Sequence, residues 1–296
     1  RFRVGWKFTP FSPQELIFPT TLGLEFIMAQ SKPFRIAAED VIPINMMMNY
    51  GIETVEGYDA VYPLRFAEYL AALNSGQTGG EPMGRYGSVS NINTKLFDLA
   101  NGKYVLTLKR DQNNKPDVTG SIPKKFSNPK LKKVFEDKSV TVLENTSVLP
   151  RVFFVSDWVT ETNITKELDE LLSEDFPRDK KIVLEKEFSE FTKSQNHQSS
   201  VSYTNEEIKV ETDTPGFLFL SNTFYPGWKA TVNAENTEIY RADYAFQAIP
   251  INKIGTSNVK LSYKPDSFKI GSLISLISLV FLGMIGSIKY VRSCAR

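Results

Sequence analysis

The feature that most constrains this chain is an uncharged stretch near its C-terminus, Ile270–Ile288, which lies between Lys269 and Lys289. An α-helix rises about 1.5 Å per residue, so the nineteen residues of this stretch would span about 28 Å, close to the hydrocarbon thickness of a bilayer. Core helices of soluble proteins rarely stay uncharged over such a length. The stretch therefore predicts one transmembrane helix over residues 268–290 rather than a buried core helix.

The charges that flank the stretch predict its orientation. Lys289, Arg292 and Arg296 follow it without any acidic residue, whereas Asp266 accompanies the lysines that precede it. Because short cytoplasmic flanks carry an excess of Lys and Arg, we expect residues 291–296 to form a cytoplasmic tail. The bulk of the chain is then extracytoplasmic at the cell membrane, and the lipid bilayer is its first expected partner.

Cysteine and histidine are almost absent, which narrows the chemistry available to the chain. The single cysteine, Cys294, excludes an internal disulfide and a zinc site built from cysteines. The single histidine, His197, lies in a polar run, where we expect a solvated loop residue rather than a catalytic or metal-binding one. The net charge is +1 with acids and bases mixed, so no basic nucleic-acid-binding face is indicated. We therefore expect no metal, cofactor or nucleic-acid partner in this chain.

The order of the predicted elements indicates an α+β fold with two domains before the membrane helix. Helical spacing after Pro63 and after Thr162, the expected N-cap, alternates with short strands and indicates a mixed α/β domain over residues 1–178. From 179 to 267 the pattern changes to short, alternating strands typical of an antiparallel β-sandwich. Within it, the continuous apolar run Phe217–Leu220 predicts a strand buried on both faces.

A loop in the N-terminal domain is the first candidate ligand site. Tyr58 and Asp59 precede Tyr62 and a helix N-terminus at Pro63, and the first turn of that helix contains Arg65. Helix N-termini attract anions, so this end would suit a phosphate-linked sugar. The alternative is structural: Asp59 orders the loop by capping, and Tyr58 fills the core.

A turn in the predicted sandwich is the second candidate site. Tyr225 and Trp228 flank Pro226 and Gly227, a sequence typical of a type II turn in which Gly227 has positive φ. The two aromatic faces would stack on a sugar ring, or they would pack the edge of the sandwich.

Arg241 and Tyr244, on the strand expected next to this turn, complete the candidate set. Arg241 would bind a phosphate or a lipid headgroup, or it would form a structural ion pair with Asp243 or Asp266. Both alternatives stay open at this point, and no catalytic residue is identified.

Several short motifs follow one another in the order found in one family of membrane proteins. They are Pro33-Phe34-Arg35, Asn49-Tyr50-Gly51-Ile52, Lys103-Tyr104-Val105, Leu149-Pro150-Arg151, Phe224-Tyr225-Pro226-Gly227-Trp228-Lys229-Ala230 and Tyr263-Lys264-Pro265-Asp266. In these motifs the chain resembles the bacterial YfhO-type membrane proteins, which look like GT-C-class glycosyltransferases that use lipid-linked sugars.

The resemblance implies a multi-helix membrane portion before this region, with the catalytic acids and any divalent metal in that portion. No catalytic residue is therefore carried over, and whether this chain takes part in catalysis stays open. One departure lies in the hairpin after Val232, where Asn233-Ala234-Glu235-Asn236 replaces the family's usual Asp-Gly turn. This replacement argues against a two-residue type I′ turn.

Two functions from different classes follow. The first is the extracytoplasmic part of a glycosyltransferase-like membrane protein, which assists donor or acceptor recognition in envelope glycan modification. The second is a non-catalytic carbohydrate-binding or structural module of the cell envelope, anchored by the same helix. A free-standing enzyme is disfavoured, because the sequence offers no convergent set of catalytic side chains.

Overall fold

The computed structural model describes residues 14–38, 41–61, 63–204 and 207–294 of the 296-residue chain. These residues form an α+β fold of stacked layers that leads into one long C-terminal helix. The fold class expected from the sequence is confirmed.

The helices and strands of the described residues are numbered here in chain order. The helices are α1 (Gln14–Ile17), α2 (Leu22–Met28), α3 (Leu64–Ser75), α4 (Lys95–Leu99), α5 (Ile164–Leu172) and α6 (Asp266–Cys294). The strands are β1 (Arg35–Ala37), β2 (Glu53–Thr54), β3 (Gly57–Tyr58), β4 (Tyr86–Gly87), β5 (Gly102–Leu108), β6 (Leu131–Glu136), β7 (Val140–Asn145), β8 (Val152–Val155), β9 (Asp157–Thr160), β10 (Lys181–Leu184), β11 (Ser199–Tyr203), β12 (Ile208–Thr212), β13 (Gly216–Leu220), β14 (Trp228–Val232), β15 (Glu235–Thr237), β16 (Tyr240–Ala242), β17 (Phe246–Ile251) and β18 (Gly255–Tyr263).

The N-terminal sheet has the strand order β2-β1-β5-β7-β6. Strand β1 is parallel to β2 and β5, and the remaining pairs are antiparallel. Along β5, Tyr104 and Leu106 share a core with Leu24 and Ile27 of α2, whereas Val105 belongs to the core that contains α3 and α4. Because side chains alternate between the two faces of a strand, both faces of this sheet are covered by helices.

Two further sheets form the predicted sandwich. A six-stranded sheet with the order β8-β13-β17-β16-β10-β9 packs on a five-stranded sheet with the order β11-β12-β18-β14-β15. In β13, Leu218 and Leu220 lie in the core between these sheets, while Phe217 and Phe219 belong to the core shared with the helices. The strand is therefore buried on both faces, as predicted.

The larger sheet of the sandwich takes strands from both sides of residue 178. Strand β8 pairs with β13, and β9 pairs in parallel with β10. This sheet is therefore mixed rather than wholly antiparallel. The domain boundaries drawn from the sequence stay a prediction.

The hairpin between β14 and β15 has a two-residue turn, so the expectation against one was wrong. Val232 pairs with Glu235, and the residues between them have positive φ, 51° at Asn233 and 69° at Ala234. Positive φ at both positions is the signature of a type I′ turn. Asn tolerates this conformation, and Oδ1 of Asn233 accepts a hydrogen bond from the Asn258 N–H at 2.8 Å, which ties the turn to β18.

The N-cap of helix α5 is Asn163 rather than Thr162. Its Oδ1 accepts hydrogen bonds from the N–H groups of Thr165 at 3.0 Å and Lys166 at 3.2 Å. Asn ranks above Thr as an N-cap residue, so the helix begins one residue later than predicted.

Helix α6 follows β18 after only two residues, Lys264 and Pro265. Its segment Asp266–Ile285 has the length and composition of a membrane span, and none of it is buried against the rest of the protein. The alternative of a buried core helix is therefore wrong for the described residues. The helix is a candidate membrane span attached directly to the sandwich.

A candidate ligand cleft beside the membrane span

The turn Tyr225–Trp228 is fixed against the connection between β18 and α6. Gly227 has φ of 107°, as expected for the turn, and its carbonyl accepts a hydrogen bond from the Lys264 N–H at 2.7 Å. A Cβ atom placed on Gly227 would lie 2.9 Å from Cα of Pro265. The position therefore requires glycine both for its backbone conformation and for the close approach.

Three aromatic side chains beside this connection line a cleft of about 610 Å³. Trp228 and Tyr263 are paired across β14 and β18, and their ring centroids are 5.3 Å apart. Tyr225, at the start of the turn, is 42% exposed. Because two residues separate Tyr263 from α6, the cleft lies beside the point where the candidate membrane span begins.

The opposite wall of the cleft comes from the N-terminal part of the chain. Asp59 and Phe66 line it, facing the same space as Tyr225 and Trp228. The structure thus joins residues of the two candidate sites that lie far apart in the sequence. Asp59 also caps its own loop, because its Oδ1 accepts a hydrogen bond from the Val61 N–H at 3.0 Å.

Tyr58 is placed differently from both alternatives considered for it. Its ring packs on Tyr86 with the centroids 4.6 Å apart, and it remains 40% exposed. It is not among the residues that line the cleft, and it does not fill the core. Tyr62 lies outside the described residues.

Two buried arginines line the same cleft and were not predicted as site residues. Arg35 and Arg151 are each 9% exposed. Nε of Arg35 lies 3.6 Å from Oε2 of Glu53, and Nη2 of Arg151 lies 2.9 Å from the same oxygen. Burial and the charge of Arg151 lower the pKa of Arg35 to about 9, and burial also lowers the pKa of Arg151. Each arginine ends one of the short motifs that carry the family resemblance, which was the signal available in the sequence.

Arg65, Arg241 and Tyr244 form a second cluster and are not among the residues that line the cleft. Nη2 of Arg65 lies 2.6 Å from Oε1 of Glu185, and Nη1 of Arg241 lies 3.6 Å from the same oxygen. The Arg65 guanidinium lies over the Tyr244 ring at 4.6 Å, and the Tyr244 hydroxyl donates to Glu68 at 2.7 Å. Glu185 therefore brings Arg65 and Arg241 together, and Tyr244 joins them by packing against Arg65.

Neither aspartate expected to pair with Arg241 does so. Asp243 is fully buried, and its Oδ1 accepts a hydrogen bond from the Val183 N–H at 2.7 Å. Asp266 lies at the start of α6, where it pairs with Lys269 at 3.4 Å.

Two fully buried carboxyl groups lie next to the second cluster. Burial raises the pKa of Asp243 to about 7. Burial, together with the negative charge of Glu185, raises the pKa of Glu167 to about 8, although the Tyr244 N–H donates to its Oε1 at 2.6 Å. Both groups therefore titrate near neutral pH rather than in the acid range.

Comparison with known proteins identifies the part of the chain that contains the aromatic wall. Residues 178–275 match the family described as "Bacterial membrane protein YfhO". This region of the chain is similar to that family. The resemblance drawn from the sequence is confirmed for residues 178–275, and this similarity to a membrane protein family supports association with the lipid bilayer.

One relative of known organism also matches. It is the "Uncharacterized protein YfhO" of Bacillus subtilis (strain 168), which is 36% identical over 64 residues. The match covers 22% of this chain and 7% of that relative, so the chain spans only a small part of the relative's length. No solved structure matches the chain.

The YfhO region supplies one wall of the cleft and one side of the second cluster. Tyr225, Trp228 and Tyr263 of the cleft lie within it, as do Arg241 and Tyr244 of the cluster. The opposite wall and both buried arginines precede residue 178. The cleft therefore forms between the YfhO region and the part of the chain before it.

The single histidine lies in a loop, as expected, but it is half-buried and held by the fold rather than freely solvated. Nδ1 of His197 lies 2.8 Å from Oγ of Ser156, and the ring packs on Phe154 with the centroids 5.2 Å apart. Ser156 is fully buried, and its hydroxyl also donates to the Ser194 carbonyl at 2.8 Å. This Ser–His contact therefore fastens the loop before β11 and gives a substrate no access to the hydroxyl.

Acidic, histidine and cysteine side chains do not gather into a metal site in the part of the chain that the structure describes. No group of three or more of them is placed to hold a metal ion there. The family resemblance places any divalent metal in the membrane portion before this region, and no metal-dependent step is assigned to the described residues.

Proposed function

We propose that this chain is the part of a YfhO-family membrane protein that recognises a lipid-linked sugar or an envelope glycan on the extracytoplasmic side of the membrane. In this proposal Tyr225 and Trp228 stack on a sugar ring, and Asp59 accepts hydrogen bonds from its hydroxyl groups. The chemistry of sugar transfer, and any divalent metal, belongs to the membrane portion that the family resemblance places before this region.

The position of the cleft carries the proposal. Asp59 and Tyr225 line one space, and that space lies beside the first residues of the candidate membrane span. A ligand whose lipid end remains in the bilayer can reach such a cleft without leaving the membrane surface. Its volume of about 610 Å³ also falls within the range of roughly 300–1,000 Å³ that is usual for small-molecule sites.

The second cluster supports the cleft indirectly. Arg65 is adjacent in sequence to Phe66, which lines the cleft, and Glu185 holds Arg65 and Arg241 together. These contacts fasten α3 to the sandwich and so fix the distance between the two walls. The same contacts favour the alternative function, a structural or carbohydrate-binding envelope module that has no part in sugar transfer.

The substitution Trp228→Ala tests the proposal in the full chain purified in detergent. We expect the affinity for neutral glycans, measured by isothermal titration calorimetry with methyl glucoside and envelope oligosaccharides, to fall by about fivefold or more, since a central aromatic contact is lost. Tyr86→Ala is the matched control, because Tyr86 is 60% exposed and is not among the residues that line the cleft.

Circular dichroism of both variants serves to check that the fold is intact. If the wild-type chain binds none of these glycans, or if Trp228→Ala and Tyr86→Ala bind them equally, glycan recognition at this cleft is refuted. The structural module is then the better account of the chain.

A further inference from the structure

The cleft has a cationic end as well as an aromatic one. Arg35 begins β1 of the N-terminal sheet, and Arg151 immediately precedes β8 of the sandwich, so the two guanidinium groups come from different layers of the fold. Both side chains line the cleft. Arg35 donates to the carbonyl of Ala100 at 2.9 Å, which fixes its orientation.

The charges and hydrogen-bond donors of the two guanidinium groups are only partly matched by acceptors. They share Oε2 of Glu53, and Nη1 of Arg151 is buried without a hydrogen-bond partner among the described residues. A buried donor without a partner is costly, and a buried cation still more so. An acceptor that brings several oxygen atoms would satisfy this group better than the single carboxylate does.

Glu53 is the most exposed of the three charged side chains. Its side chain is 58% exposed, compared with 11% for Arg35 and 9% for Arg151. Turning the Glu53 carboxylate into solvent alone would leave two buried cations unpaired, so we expect it to move only when the oxygen atoms of a ligand take its place. The arginines, by contrast, are enclosed and remain in place.

Glu53 pairs with the two arginines but is not among the residues that line the cleft, whereas two acidic side chains do line it and are held in position by backbone groups. Glu56 accepts hydrogen bonds from the N–H groups of Ala38 at 2.9 Å and Val89 at 3.3 Å. Asp59 accepts from the Val61 N–H at 3.0 Å. Glu53 is therefore the carboxylate whose movement would open both guanidinium groups to a ligand.

We propose that Arg35 and Arg151 form a subsite for the phosphate group of the ligand, and that Glu53 occupies this subsite when the cleft is empty. The inference rests on the proposed function, because the same ligand would place its sugar against Trp228. A guanidinium matches a phosphate with two parallel N–H···O bonds, and two guanidinium groups can hold a phosphodiester from two sides. The phosphate belongs either to a sugar phosphate or to a phospholipid headgroup.

The test compares three forms of the full chain in detergent: wild type, Arg151→Gln and Glu53→Gln. Calorimetry with glucose 1-phosphate and with methyl glucoside separates the phosphate from the sugar. We expect glucose 1-phosphate to bind wild type about tenfold or more tightly than methyl glucoside does, and Arg151→Gln to abolish that difference. Glu53→Gln should increase the affinity for glucose 1-phosphate about threefold to tenfold and leave methyl glucoside unchanged, because it removes the competing charge.

A vesicle arm identifies the source of the phosphate. Every phospholipid headgroup carries a phosphate, so glucose 1-phosphate binding to the same three proteins is measured in a phosphate-free detergent and in phospholipid nanodiscs. If wild type binds glucose 1-phosphate more weakly in nanodiscs than in detergent and Arg151→Gln shows no such difference, the subsite is assigned to a headgroup. Equal binding to wild type in both surroundings assigns it to the sugar phosphate.

The outcomes distinguish this inference from the proposed function. If a structural ion pair is the whole role of Glu53, Glu53→Gln lowers the melting temperature and leaves phosphate affinity unchanged, which overturns the subsite. In another outcome, Trp228→Ala leaves the affinity for methyl glucoside unchanged while Arg151→Gln still lowers the affinity for glucose 1-phosphate. That result refutes stacking of the sugar on Trp228 and supports the phosphate subsite. Arg151→Lys, which keeps the charge but loses the planar fork, should recover only part of the affinity.

Discussion

Gly227 lies so close to Pro265 that a single methyl group added to the glycine would be 2.9 Å from the proline Cα. This contact joins the aromatic turn of the cleft to the residue that precedes α6. The sugar-binding wall of the proposed site and the start of the candidate membrane span are therefore one packed unit.

Replacing Gly227 with alanine should destabilise this unit. We expect Gly227→Ala to lower the free energy of unfolding by about 2–4 kcal/mol, because alanine is strained at the positive φ and its Cβ would collide with Pro265. Gly255→Ala is the control, because Gly255 also has positive φ, 91°, but no atom lies within 4 Å of an added Cβ. Urea unfolding of both variants separates the two causes, and an equal loss in both would show that the contact with Pro265 contributes nothing.

The buried carboxyl groups predict a stability that falls as the pH rises. The pKa of Glu167 is raised from 4.5 to about 8, and that of Asp243 from 3.8 to about 7. A folded state that binds more protons than the unfolded state is stabilised most at pH values below the unfolded pKa values, and this stabilisation is lost as the pH rises through the folded ones. The free energy of unfolding should therefore decline between about pH 5 and pH 8.

Glu167→Gln tests the origin of this decline. Glutamine carries no charge to bury, so we expect its unfolding free energy to change less with pH than that of the wild type. Glu170→Gln is the control on the same helix, because Glu170 is exposed. A Glu167→Gln curve that runs parallel to the wild-type curve across the whole range would contradict the assignment.

The type I′ turn at Asn233 and Ala234 predicts a stabilising substitution. Ala234 has φ of 69°, a conformation that costs an L-residue about 1–2 kcal/mol and costs glycine nothing. Ala234→Gly should therefore increase the unfolding free energy by about 0.5–1 kcal/mol after the extra chain entropy of glycine is deducted. Ala29→Gly should instead decrease the unfolding free energy, because Ala29 has an ordinary helical φ of −77°. A loss of stability in Ala234→Gly would argue against this turn.

Orientation in the membrane can be read with the single cysteine, Cys294. A membrane-impermeant maleimide should not label it in intact cells that express the chain, and should label it once the membrane is permeabilised. A second protein, with Cys294→Ser and Asn113→Cys, places the only thiol on the exposed side of the domain and should be labelled in intact cells. The reverse pattern would put the bulk of the chain in the cytoplasm.

Elements governed by local pattern were predictable from the sequence. The apolar run of β13 required burial on both faces, and the uncharged length of α6 required a candidate span. Strand β17 was not among the predicted strands, and it contains Pro250, a residue that is uncommon in the interior of a sheet. In this structure Pro250 pairs with Phe217 near the end of the strand.

The site was predictable only in part, because its residues meet through tertiary packing. Aromatic residues around a Pro-Gly turn indicated Tyr225 and Trp228, and a loop before a helix indicated Asp59. Arg35 and Arg151 each end a short family motif, but the motifs do not indicate their burial, which arises where the N-terminal sheet meets the sandwich. For Arg65 and Arg241, the deciding partner is Glu185, which is distant from Arg65 in the sequence.

The two-residue connection between β18 and α6 has a mechanical consequence. Lys264 is hydrogen-bonded to the turn, and Pro265 is packed against it, so the connection has no slack that could absorb movement. If α6 spans a bilayer, a tilt imposed by the bilayer thickness or by neighbouring helices would rotate β18 and move Trp228 with it. The angle at which the helix crosses the membrane would then set the width of the cleft.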